Sequence, residues 1–424
     1  MTSRKVRQRR IGAIISTAAV VSLTAACATS ATDSAPAASS APAATAAASS
    51  AASAASSAAA SGSAQACAPG DDLTVGLLTP MTGFAANYGP EAAAGLQQAL
   101  DEAGSTAGGR KITVITADED VTDPSQTLER LKQMVESDGA DVIVGPIFGS
   151  TQQAVAAYLK QQNVPMFTML GGGENLAGEG TGFLWPAADN RTAAPLGTYA
   201  AEDLGYKKIA TLAPDYAYGH DAIDGITKAF EAAGGTVAQQ QWVPLGTTDM
   251  LQYATKLDQN VDALAMWLVP SDAAAFIKEY RNLGIKVPLL LFQGIFDPTY
   301  QEMGDQVQGE IGLNEYNHLL DNPANAAFTE AYAAANDGAI PNQTTAFAYQ
   351  VGRNIVTALD ADCGDATTQG LRTALADLPL DTVIGAAHYN ADGMAVSNRV
   401  VVKATKGADG RYEWEPVKTY ENVG

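Results

Sequence analysis

Beyond Asp71 the chain alternates short apolar runs with stretches in which apolar residues recur every three to four positions. A short apolar run bounded by turn residues reads as a buried strand, and the longer repeat marks one face of a helix. The expected strands are Thr74–Leu78, Ile112–Thr116, Val142–Gly145, Pro165–Met169, Lys208–Leu212, Val237–Val243, Ala263–Val269 and Leu289–Phe292. Helical patterns between them, with strands recurring at roughly thirty-residue spacing, predict an α/β fold of parallel sheets with helices on both faces. These strands are too many for one small sheet. Near the end, Val400–Lys403 and Tyr412–Trp414, separated by Gly407-Ala408-Asp409-Gly410, predict a hairpin.

The stretch Thr74–Gly104 shows the unit in full. Val75, Leu77 and Leu78 form a strand that must stop at Thr79-Pro80. The loop from Met81 to Gly89 carries Phe84 and Tyr88 and is too long and aromatic for a plain connector. Pro90 is expected at the first position of the following helix, whose face is Ala94, Leu96, Ala99, Leu100 and Ala103, ended by Gly104.

Ligands of open α/β sheets bind beyond the carboxyl ends of the strands, so the loops there are the candidate sites. Gly149-Ser150-Thr151-Gln152 follows one strand and opens the expected helix Gln152–Gln161. Free N–H groups, a hydroxyl and a helix N-terminus suit a carboxylate-sized anion, although Ser150 and Thr151 serving only as helix caps is the alternative. Gly171 and Gly172, in Gly171-Gly172-Gly173-Glu174-Asn175-Leu176, permit close approach of backbone to a ligand, or form a flexible turn. Neither loop has dinucleotide or P-loop spacing.

In order, these features resemble the Leu/Ile/Val-binding family of type I periplasmic binding proteins. Pro80-Met81-Thr82-Gly83 precedes the pair Tyr88-Gly89, Gly108-Gly109-Arg110-Lys111 feeds a strand ending in Asp118-Glu119-Asp120, and Asp123-Pro124 follows. The resemblance implies two doubly wound lobes joined by three crossings, near Trp185–Asn190, Gly312–Glu315 and His388–Asn390. The first lobe would hold residues 72–188 and 316–387, and the second 189–315 and 388–424. The function it implies is capture of a small organic solute for an ABC importer, by hinge closure and with no cofactor. A ligand-sensing receptor module of the same fold is the alternative.

The resemblance also nominates residues. Phe84 and Tyr88 would lie at the cleft mouth. Pro214-Asp215-Tyr216-Ala217-Tyr218-Gly219 resembles the family's Asp-x-x-Tyr-Gly loop, which makes Tyr218 a ligand contact and leaves Tyr216 to pack on the lobe surface. Trp267 and Gln293 occupy second-lobe places along the cleft, with a core role open for Trp267. Amino-acid-binding relatives hold the ammonium with a second-lobe carboxylate and a Thr or Ser hydroxyl. Here those places fall on Gln293 and on glycine, so the expected ligand is a carboxylate, amide or urea-like solute with an apolar or aromatic body. Asp215, Asp272 or Asp297 supplying the missing charge is the route back to a branched-chain amino acid.

Composition adds location and exclusions. Of 424 residues, 46 are acidic and 25 basic, a net charge of −21 that repels nucleic-acid phosphates. Arg4, Lys5, Arg7, Arg9 and Arg10 precede the apolar run Ile11–Ala26, which reads as a signal peptide over residues 1–26, too short for a comfortable membrane span. Leu23-Thr24-Ala25-Ala26-Cys27 resembles a lipoprotein cleavage box, with Thr24 where leucine is usual, and makes Cys27 the expected lipid attachment. Residues 27–71, almost wholly Ala, Ser, Thr and Pro up to Ala66, form a tether with a reach on the order of 35 Å.

In an exported protein the remaining cysteines, Cys67 and Cys363, are expected to pair as a disulfide. No metal is expected from two distant cysteines and three scattered histidines. His220, His318 and His388 carry no hydrolase motif, and Asp118-Glu119-Asp120 is read as a solvated turn that caps the next helix, so an enzyme is not expected. The expected partners are the solute, ABC permease and ATPase subunits, and the membrane through the lipid.

Overall fold

A computed structural model describes residues 67–424 except 171–175, 177–181, 186–189, 294–300, 302, 377 and 409. The expected signal peptide, Cys27, the tether up to Ala66, Gly171 and Gly172 with the rest of their glycine run, Asp297, and the middle of the crossing after Trp185 lie outside the described residues.

Two sheets organise the chain. One runs in the order β2 (Thr106–Ala107), β3 (Arg110–Asp118), β1 (Leu73–Thr79), β4 (Val142–Val144), β5 (Met166–Phe167) and β6 (Gly182–Phe183). All its pairs are parallel except β2 with β3. The other starts with a parallel core of β8 (Thr236–Val243), β7 (Lys208–Pro214), β9 (Ala263–Met266), β10 (Leu289–Phe292) and β11 (Ile311–Asn314). It continues antiparallel through β14 (Ala395–Lys406), which pairs with β15 (Tyr412–Val423) and with β13 (Gly385–Tyr389), itself paired with β12 (Leu380–Thr382).

The strand residues explain why both sheets are sandwiched. In β1, Val75 and Leu77 enter one hydrophobic cluster while Leu78 enters another; in β9, Ala263 and Ala265 face one cluster and Leu264 and Met266 a second. Strands buried on both faces lose the polar alternation and read as continuous apolar runs. Those are the runs visible in the sequence.

Several boundaries differ from the sequence expectation. The helix after β1 spans Tyr88–Glu102, so Pro90 is its third residue, still within the turn whose N–H groups lack intrahelical acceptors. The helix after β4 begins at Gly149, not Gln152, and runs to Gln162. The expected strands ending at Gly145 and spanning Pro165–Met169 shorten to β4 and β5. The final hairpin is longer than expected, with twelve residues in each strand. The short strands β2, β6, β11, β12 and β13 carried no apolar run long enough to mark them. The expected lobe boundary between residues 387 and 388 falls inside β13.

Each sheet carries one tight helix crossing built on glycine. A Cβ on Gly95 would lie 2.0 Å from the Thr345 carbonyl oxygen, where helix Tyr88–Glu102 crosses helix Gln343–Ala361. One on Gly225 would lie 1.8 Å from the Asn190 carbonyl oxygen, where helix Ala217–Ala232 crosses Asn190–Glu202.

Where the folded body begins, Cys67 is paired with Cys363, with Cα atoms 5.1 Å apart. Arg110 ties the same junction, donating to the carbonyls of Asp71 at 2.7 Å, Gly364 at 2.9 Å and Asp72 at 3.2 Å.

Candidate functional site

The loops at the carboxyl ends of both sheets meet through a continuous string of rings. Phe84 and Tyr88, after β1, each set an edge against Phe148, with centroids 6.0 and 6.1 Å apart. Phe148, after β4, lies 6.4 Å from Tyr216, after β7. Tyr216 lies 5.8 Å from Trp267, which stands edge-on to Tyr218 at 5.1 Å. These contacts bring loops of the two sheets together.

On the side of the six-stranded sheet, local chemistry fixes the loops. Asp118, at the end of β3, accepts from the Met81 N–H and the Thr82 hydroxyl, both at 2.7 Å, and pairs with Arg130 at 3.1 Å. These partners outweigh a desolvation penalty and hold its carboxyl below the usual range. The loop bearing Phe84 is thereby tied down. Phe84 remains partly exposed while Tyr88 is buried.

Glu119 departs from the expected solvated turn. It is 1 % exposed and accepts from the N–H groups of Ile147 at 2.7 Å and Phe148 at 2.9 Å, with Thr151 Oγ1 beside its Oε1 at 2.5 Å. Burial, partly offset by those bonds, pushes its carboxyl up to about 7. When protonated it can donate to Thr151 Oγ1, which in turn donates to the Phe148 carbonyl at 2.6 Å. The neighbouring Asp120 accepts from the Thr122 and Asp123 N–H groups, and the cap of the next helix is Asp123, which accepts from the Ser125 N–H at 3.1 Å.

The Gly149–Thr151 loop is therefore divided in use. The hydroxyl of Thr151, expected to meet a ligand or cap its own helix, is buried and engaged with Glu119, and the helix takes no side-chain cap from its N-cap residue Phe148. The N–H groups of Gly149, Ser150 and Thr151 meet no acceptor among the described residues, since the first bond back into the loop is Gln152 N–H to the Phe148 carbonyl. That turn keeps the donors and the positive dipole end an anion needs.

On the side of the nine-stranded sheet, Tyr218, Trp267 and Gln293 come together from the ends of β7, β9 and β10. Trp267 Nε1 donates to Gln293 Oε1 at 2.7 Å, and Gln293 Nε2 donates to Tyr218 Oη at 2.5 Å and to Glu315 Oε2 at 2.9 Å. Glu315 follows β11 and forms a fully buried pair with Arg399 of β14, Nε to Oε1 3.6 Å. Burial raises the Glu315 carboxyl and the Arg399 charge opposes that rise.

Tyr216 does not sit on the lobe surface as expected; it is half-buried in the string of rings, facing Phe148. Phe148, Glu119, Glu315 and Arg399 were not nominated from sequence. Phe148 had a signal, an aromatic residue just ahead of a glycine-led helix start at a strand end. The other three are charged residues whose burial only the fold decides. Of the acids that might replace the missing ammonium partner, Asp215 turns outward to His220 Nε2 at 2.9 Å. Asp272, in the first turn of helix Pro270–Asn282, is half-buried, and it adds to a rise of the Tyr88 phenol that comes first from burial and then from Glu91. Among the described residues no cluster of three His, Cys, Asp or Glu side chains could hold a metal.

A sequence model of the periplasmic binding protein family matches residues 72–410, nearly the whole folded body. The chain belongs to the periplasmic binding protein family. The Leu/Ile/Val-binding protein homolog 6 of Brucella suis is 24% identical over 368 residues, covering 85% of this chain and 94% of the relative. An ABC transporter substrate-binding protein from Sphaerobacter thermophilus shares 26% identity at a TM-score of 0.77, covering 83% of this chain and 98% of that one. The solute binding protein of an ABC transporter from Rhodopseudomonas palustris BisB5, in complex with 3,4-dihydroxybenzoic acid, matches at 24% identity and a TM-score of 0.78, with 83% and 98% covered. The two-sheet α/β architecture is thus the type I periplasmic binding fold. As a member of a family of transporter substrate-binding proteins, this periplasmic binding protein is extracytoplasmic and binds a small molecule rather than catalysing a reaction.

Proposed function

We propose that the chain is a lipid-anchored solute receptor of an ABC importer, closing its lobes on a small organic acid or amide with an apolar or aromatic body. The lobes are built on the six-stranded and the nine-stranded sheet, with β12 and β13 on the second, and the closed form is the one the permease and ATPase assembly accepts. Phe84, Tyr88, Tyr218 and Trp267 wall the solute, and Gly149, Ser150 and Thr151 offer N–H groups to its carboxylate. Gly171 and Gly172 belong to the same site.

The observation that carries this reading is Gln293. It stands where amino-acid-binding relatives are expected to place an acid, and it is an amide committed to Trp267, Tyr218 and Glu315. The charge of Glu315 is matched by Arg399, so this face gives an ammonium no counter-charge, and burying one uncompensated costs several kcal/mol. The benzoic acid held by the Rhodopseudomonas palustris protein is a solute of the proposed kind.

A second reading has its own observation. Asp272, half-buried in the first turn of helix Pro270–Asn282 after β9, would receive the ammonium of a branched-chain amino acid, as the names of the Brucella relatives suggest. Calorimetry separates the two. Aryl or alkyl carboxylates or short amides should bind at micromolar concentration or tighter, and leucine, isoleucine and valine should not. Tight leucine binding lost in Asp272→Asn establishes the second reading instead.

The anchor is a thioether-linked lipid on Cys27, supported by the basic, apolar and small-residue order before it. Metabolic labelling with a fatty-acid analogue should mark the protein and Cys27→Ala should release it from membranes. Label retained on Cys27→Ala contradicts the anchor.

A further inference from the structure

The hydrogen bonds behind the second-lobe wall run in one direction only. Arg399 and Glu315 are both fully buried, and the guanidinium beside Glu315 opposes the effect of burial and favours the anionic, acceptor form that two amide donors also select. Its Oε2 accepts from Gln293 and, at 3.2 Å, from Gln343 Nε2. Across Gln293 stands the Trp267 indole, which can only donate. An acceptor-only carboxylate on one side and a donor-only indole on the other allow the amide a single orientation.

One further N–H of Gln293 must then be donated, and it goes to Tyr218 Oη. With its oxygen accepting, the phenol has its own proton left, and among the described residues no acceptor meets it. Gln293 is also held at φ 59°, a left-handed backbone that costs a non-glycine residue on the order of 1 kcal/mol and persists where surrounding bonds over-determine it.

We propose that Gln293 is a positioning residue that does not touch the solute, and that the Tyr218 hydroxyl proton is the polar group this wall presents. The cleft then selects a solute with two oxygen-bearing ends. A carboxylate sits on the free N–H groups of Gly149, Ser150 and Thr151, and a hydroxyl or carbonyl oxygen at the far end accepts from Tyr218. An ammonium in that second place meets the phenol proton and no carboxylate, and an aryl amine, whose lone pair is delocalised into its ring, is a poor acceptor for that proton. This rests on the solute-binding reading above and narrows it.

The test has two arms. In calorimetry, 4-hydroxybenzoate is expected to bind about tenfold or more tightly than 4-aminobenzoate, which is of the same size but a poor acceptor at the para position. Tyr218→Phe should lower 4-hydroxybenzoate affinity about tenfold and leave 4-aminobenzoate within about threefold, so that the preference collapses. A preference that is absent, or that survives Tyr218→Phe, overturns the assignment of the phenol proton.

The second arm needs no solute. The Trp267 indole N–H resonance, identified by its loss in Trp267→Phe, should resist hydrogen exchange in the wild-type protein. It should lose that protection in Gln293→Leu while far-UV circular dichroism stays unchanged. An indole equally protected in Gln293→Leu overturns the clamp. If wild-type protein binds neither benzoate while the indole behaves as expected, the clamp stands and the aromatic-acid reading of the solute falls.

Discussion

Arg399→Met should lower the unfolding free energy by about 3–5 kcal/mol, because it leaves Glu315 buried and ionised with no counter-charge. Glu315 would then have to protonate or draw water into the core, and either change disturbs Gln293, which donates to it. The cost arises from the orphaned charge more than from the loss of attraction, and a second substitution separates the two. Arg399→Met combined with Glu315→Gln removes both charges and keeps the donor and acceptor shape, so most of the lost stability should return. Urea unfolding of the wild type, Arg399→Met, Glu315→Gln and the double variant measures this. A double variant no more stable than Arg399→Met would mean that the guanidinium acts through packing and through its bonds to Ser397 and Asn398.

Glu119 should make the folded body lose stability as pH rises from about 4.5 to about 7. The unfolded carboxyl titrates near 4.5 and the folded one near 7, so the folded state holds the proton more tightly. Its contribution is fully present below pH 4.5 and is lost as pH climbs through 7. The separation corresponds to on the order of 3 kcal/mol. Other acids with carboxyls raised by burial, the half-buried Glu91 and the buried Glu310 and Glu315, contribute in the same direction, so the comparison with Glu119→Gln isolates this residue. Stability profiles of wild type and Glu119→Gln should converge in slope above pH 7 and diverge below it, with the wild type gaining on the variant as pH falls. Parallel profiles from pH 4.5 to 8 would show that Glu119 titrates alike in both states.

How much of this was legible in the sequence follows from what each signal depends on. Buried parallel strands announce themselves because both faces are covered, which is why Leu289–Phe292 read as a strand with its observed limits. The two-residue β6 and the edge strand β2 carry too few apolar positions to leave a pattern. At the site, Tyr218, Trp267 and Gln293 were nominated by the resemblance of their stretches to the family's cleft, and the structure brings those three together. What the sequence could not indicate is the direction of the bonds among them. That direction comes from Glu315 and Arg399, separated in sequence by most of the last helical region and placed in contact only when β14 pairs with β11. Glu119 escaped for a related reason. Between Asp118 and Asp120 it looks like one more solvated acid, yet only it turns inward to the loop after β4.

The central claim, that the cleft holds an oxygen-rich organic acid or amide rather than an amino acid, is tested most directly by the solute that native protein carries. Protein purified gently from its own host, without added ligand, would be denatured and the released small molecule identified by mass spectrometry. The account predicts a stoichiometric carboxylate or amide with an apolar or aromatic body and no ammonium group. Leucine, isoleucine or valine released in stoichiometric amount would contradict it.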